Sequence, residues 1–204
     1  MSAAAGGDLD ALDPRGRAEL LAALARTHAH AADFFAALPA GVLSARPADG
    51  AWSPAEHLRH LVLSVRPVAG ALRLPRLVLL LRFGPAFRPS RAYPQLRADY
   101  RAALAAGGRA SGAFLPRVED ADPAEARARL LEQWRGAGTA LSDAAAGWSE
   151  ASLDRIRLPH PLIGALTVRE MLYFTLYHIH HHVAGARGRL PVDAAESVAG
   201  ASSA

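Results

Sequence analysis

Apolar residues recur at helical spacing along most of the chain, and no segment sustains an alternation of apolar and polar residues. The run GRAELLAALARTHAHAADFFAAL comes after Asp13-Pro14, which supplies an N-cap carboxylate and a first-turn proline, and Pro39 ends it. Ser53-Pro54 opens a second helix, with Glu56 three residues past the serine completing a capping box. Leu58, Leu61, Val62 and Val65 give this helix an apolar stripe that should pack in a core. Pro67, Pro75, Gly84, Pro85, Pro89 and Pro94 interrupt the next stretch of chain, leaving a short apolar helix near Leu77 and another from Tyr93 to Ala106. Asp122-Pro123 repeats the earlier start signal before a long run carrying Leu130, Leu131, Trp134 and Leu141. RLPHPLIG reads as a strand-poor link to Thr167, an N-cap with Glu170 three positions on, and a last helix stops at Gly188 and Pro191. The pattern predicts an all-α fold: four longer helices at about 14–38, 53–69, 124–146 and 167–187, arranged as a four-helix bundle with short inserted helices. One domain is expected over residues 1–191, with a mobile tail over 192–204.

Composition changes this picture little. At 204 residues and 51% hydrophobic, the chain has enough material for a sizeable core. It has no cysteine, so any thiol chemistry must use a thiol from another molecule. The first residues carry acids and no apolar core region, and LVLLL at 77–81 is too short to span a bilayer; the protein reads as cytoplasmic, with no membrane partner. Charge adds more. All 23 basic residues are arginine, and nine of them fall between Arg59 and Arg101 against one acid, Asp99. That stretch has a net charge of +8 and the remainder −4, so the middle of the chain suits either solvated helix faces or an anionic ligand. A nucleic-acid role is set aside because the arginines lack interleaved aromatic residues and no binding motif accompanies them.

The chemistry concentrates in HIHHH, residues 178–182. On a helix, Met171, Thr175, His178, His182 and Ala186 share one stripe, so His178 and His182 are an i, i+4 pair spaced to hold one metal ion. His180 is turned about 200° away, towards solvent, and His181 sits on a flank. A third ligand must come from elsewhere, and His60 and His57 both flank the stripe of the second helix. Periodicity does not choose between them. His28 and His30 read as surface or rim residues and His160 as a loop residue. Trp52 reads as a core anchor with its indole N–H bonded to backbone, and Trp134 and Trp148 as packing residues.

WSPAEHLRHL, residues 52–61, together with HPLIGALTVREMLYFTLYHIHHHVAGAR downstream, resembles the DinB/YfiT-like superfamily of metal-dependent proteins. In that family a Trp-Ser/Thr-x-x-Glu/Gln-x-x-x-His motif opens the second helix and His-x-x-His-His lies on the last. The resemblance implies an up-down-down-up four-helix bundle, often a homodimer, with three histidines holding a divalent transition metal, nickel or zinc. Carried over by position, the ligands are His60, His178 and His182.

Three imidazoles would leave the ion its full charge and open positions, able to acidify a bound water or thiol. Similar proteins transfer low-molecular-weight thiols such as bacillithiol, mycothiol or glutathione to electrophiles. The first expectation is therefore a metal-dependent thiol transferase acting on small molecules, with arginines attracting the thiol's carboxylates. A metal-dependent hydrolase is the second, with Glu56 or Glu170 as base, although both residues suit helix capping better. A non-catalytic, stress-related metal- or ligand-binding bundle is the third.

Overall fold

A computed structural model of the chain describes residues 12–117 and 122–191; the expected tail over 192–204 lies outside them. Four long helices, α1 (Arg17–Ala37), α3 (Pro54–Arg73), α6 (Pro123–Ala146) and α8 (Val168–Arg187), make the bundle. Shorter helices α2 (Ala40–Ser44), α4 (Arg76–Phe83), α5 (Tyr93–Ala105) and α7 (Glu150–Leu153) occupy the connections, together with a 3-10 turn at Gly112–Phe114. Contacts between helix ends fix the directions. Tyr173 near the start of α8 donates to the carbonyl of Pro14 just before α1, so these two run parallel. Arg17 at the start of α1 donates to the carbonyls of Ala146 and Trp148 at the end of α6, and Trp148 donates to Leu72 near the end of α3. The order is up-down-down-up. Trp134, Phe35, Leu20, Leu58 and Leu61 fill the centre with almost no exposure.

Three of the four long helices start on side-chain caps. Ser53 and Glu56 form a reciprocal capping box on α3, Thr167 and Glu170 form another on α8, and Asp122 accepts from the amides of Ala124 and Glu125 at the start of α6. Three expectations need correction. Helix α1 starts at Arg17 with Gly16 as its N-cap, because Pro14 is buried under Tyr173 and Asp13 pairs with Arg15 instead of capping. Helix α3 passes through Pro67 to Arg73, held by Val65, Val68, Ala69 and Leu72 packed in the core; the one backbone bond a proline removes is outweighed by that burial. The link before α8 is a hairpin, not a loop: β1 (Arg157–His160) pairs antiparallel with β2 (Gly164–Thr167). Leu158 and Leu166 face each other in the core, and Gly164 at φ +75° turns the chain between the strands. Four residues per strand is too short a period-2 signal to stand out. Among the described residues, no helix is long and apolar enough to cross a membrane.

Candidate metal centre

Helices α3 and α8 run antiparallel, so the first turns of α3 meet the last turns of α8. The indole of Trp52, just before α3, stacks on the His182 ring near the end of α8, with centroids 5.8 Å apart. His60 on α3 and the i, i+4 pair His178 and His182 on α8 are thereby brought together, all buried, with one ligand atom of each within 4.8 Å of the others. His178 Nε2 lies 3.1 Å from His60 Nε2 and 3.0 Å from His182 Nε2. Imidazoles bound to a tetrahedral zinc ion at about 2.0–2.1 Å have their nitrogens about 3.3 Å apart, so this spacing needs only a slight spread to take a cation.

The proton inventory points the same way. His60 Nδ1 donates to the carbonyl of Phe114 at 2.7 Å, and in the neutral ring that leaves Nε2 a bare lone pair facing His178. His178 Nε2 can carry one proton at most, to be shared between two neighbouring nitrogens. The cluster is rich in acceptors and suits a positive ion. Burial pushes the His60 pKa below its usual value, an effect the Phe114 carbonyl partly offsets. Burial and then the neighbouring imidazoles hold His178 and His182 well below theirs, so the three rings are neutral at pH 7.

The centre opens into a cavity of about 730 Å³, within the range of small-molecule sites. Among the described residues, no carboxylate lines it, whereas Arg109 and Arg189 do. Both glutamates considered as bases are engaged elsewhere. Glu56 caps α3 and pairs with Arg46. Glu170 caps α8 and takes a two-pronged contact from Arg88 at 2.5 and 2.7 Å, with Arg91 at 2.9 Å. The arginine-rich segment is therefore spent partly inside the fold; Arg76 likewise sits over the Trp148 ring.

Some side chains fall where spacing places them, and others do not. His181 is a flank residue, half-buried at the cavity wall. His180 is not in solvent: it is buried against α1 with Nε2 3.1 Å from Thr27 Oγ1. Helix α8 is packed on α1 as well as on α3 and α5, so it has no broad solvent face for His180 to occupy. His28 is half-buried, stacked on Trp134 at 3.8 Å. His160 is buried at the end of β1, its Nδ1 accepting from the amides of Leu162 and Ile163 across the hairpin turn. Trp134 and Trp148 are core residues. Trp52 is half-buried and forms a wall of the cavity beside His57, His60 and His182.

His57, the competitor of His60, is the residue that spacing alone could not place. Its Nδ1 lies 2.9 Å from Nδ1 of His182, the nitrogen remote from the cluster. It therefore backs His182 instead of joining the three. A second signal was present in the sequence without being readable: Gly185 leaves room for this ring, since a Cβ there would sit 3.1 Å from His57 Cε1.

A family model described as the DinB superfamily matches residues 23–185. Comparison with curated proteins and comparison with solved structures each found no match.

Proposed function

This chain belongs to the DinB superfamily, and from that membership and its buried histidine cluster we propose that it is a metal-dependent transferase that moves a small-molecule thiol onto an electrophile. His60, His178 and His182 hold a divalent transition metal, nickel or zinc, through their Nε2 atoms. When bound there, such an ion would lower the pKa of a thiol brought to it. The observation that carries the reading is three neutral imidazoles facing a cavity with no carboxylate in its described lining. Hydrolysis by the expected route would want a carboxylate base, and Glu56 and Glu170 are already committed to caps and arginines.

The chain's own side chains supply binding and exclusion of water. Arg189, at the histidine end of the cavity with Trp52 and His182, attracts a carboxylate of the thiol; its present partner, Asp49, is 3.6 Å away and both are solvent-accessible, so the contact is easily exchanged. Arg109 supplies a second positive group in the lining. The carbonyl of Phe114 holds the His60 ring with Nε2 turned to the cluster. In the transfer, a sulfur–carbon bond forms and the bond from carbon to its leaving group breaks, with the thiol's proton leaving alongside that group.

The test is a screen of zinc- and nickel-loaded protein with glutathione, bacillithiol and mycothiol against model electrophiles, monitoring loss of free thiol. Metal-dependent consumption that disappears in His178→Ala supports the reading. A flat screen, with metal bound at one ion per chain, leaves a non-catalytic metal-binding bundle.

A further inference from the structure

The cavity is long and changes character along its length. On α3 its lining runs from His57 and His60 through Ser64 to Pro67, Val68 and Ala71. The eleven residue steps from His60 to Ala71 correspond to about 16 Å of helix. On α8, antiparallel to α3, it runs from His182 and His178 back through Phe174 to Met171, again eleven steps and about 16 Å. The histidines thus sit at one end. The other end is lined by Phe83 of α4 and Leu158 of the hairpin, whereas Leu162 at the hairpin turn lies against Gly108 just past α5. Beyond Ser64 and His160, the far half presents aliphatic, proline and aromatic groups, with both arginines belonging to other segments of the wall.

A compact, hydrophilic thiol occupies only the histidine end and gains nothing from this apolar extension. Resting on the proposed function above, we infer that the acceptor is an elongated, largely apolar molecule, with a body equivalent to about ten carbons reaching from the metal centre to Ala71 and Met171. Its reactive carbon lies beside the histidines and its tail against the hairpin. Ala71 sets the length: it is a small, half-buried side chain at the far limit of the α3 wall, where a larger residue would fill the end of the channel. His160 contributes no charge there, because burial lowers its pKa to about 4 and its Nδ1 is occupied by backbone amides.

The probe is a series of straight-chain alkyl hydroxamates, from acetohydroxamate upward, titrated into metal-loaded protein by calorimetry; the hydroxamate chelates the metal and the tail samples the channel. Each methylene should tighten binding by about fourfold until about ten carbons, after which affinity levels off. In Ala71→Trp the levelling should come several carbons earlier, with Ala71→Leu as the milder variant if the tryptophan prevents folding. Affinity indifferent to chain length, or a plateau unmoved in both variants, overturns the inference. The head group reads the metal site separately. Acetohydroxamate binding equally to metal-loaded and metal-free protein would overturn the proposed function, while the increment per methylene would still decide the channel.

Discussion

The position of one proton on His182 governs whether its Nε2 is free for a cation. The 2.9 Å contact between Nδ1 of His182 and Nδ1 of His57 holds a single hydrogen, and when His182 supplies it, Nε2 keeps its lone pair for the cluster. His60 reaches the same condition through the Phe114 carbonyl. Replacing His57 by Phe should therefore weaken zinc binding about 10- to 100-fold in a competitive chelator titration, with partial recovery in His57→Asn, whose amide lies near the position of Nδ1. Unchanged affinity in His57→Phe would reduce His57 to a packing residue. At this scale the sequence was partly legible. The i, i+4 geometry of His178 and His182 comes from helix spacing, and both face the cluster as that spacing requires. His57 and His60, three residues apart, share a face, and what separates them is a carbonyl 54 positions away that no local pattern contains. His180 was misplaced because a helical wheel assumes one wet face, and α8 is buried nearly all round.

Elements are positioned by their caps, and Glu170 carries the most consequential one. Burial alone would raise its pKa, yet hydrogen bonds from Arg88, Arg91 and the backbone amides of Arg91 and Thr167 hold it down to about 2. With the folded value below the usual 4.5, its contribution is complete above about pH 4.5 and is lost as pH falls towards 2. Glu170→Gln should cost about 2 kcal/mol at pH 7, less than a fully enclosed pair because Arg88 is half exposed. The gap between variant and wild type, measured by denaturant unfolding, should close as pH drops through that window; a constant gap would contradict the assignment. The capping boxes at α3 and α8 and the Asp122 cap of α6 were readable as Ser/Thr-x-x-Glu and Asp-Pro signals. The Asp13-Pro14 signal was misleading for a tertiary reason, the Tyr173 contact to Pro14. The short hairpin was invisible for a local one, since four-residue strands leave almost no alternation to detect.

Across the whole molecule, all nine histidines have their pKa lowered by burial, His28, His57, His160 and His180 to about 4 and His178 and His182 well below their usual value. The unfolded chain therefore takes up more protons than the folded one below about pH 6.5, and stability falls as pH drops from there towards 4. Metal-free protein should lose several kcal/mol between pH 7.5 and 5, seen as a falling melting temperature. Bound metal should offset part of that loss by favouring the folded state. A melting temperature flat over this range would mean that the histidines are far more accessible than the bundle makes them. We propose that His60, His178 and His182 form one metal centre. Its most direct test is elemental analysis of untagged protein, wild type beside His60→Ala, His178→Ala and His182→Ala, with His181→Ala as the control. Wild type and control should carry about one transition-metal ion per chain, and each of the other three should lose it. Wild type that takes up no nickel or zinc, or a triad variant that keeps its ion while His181→Ala loses it, would contradict that proposal.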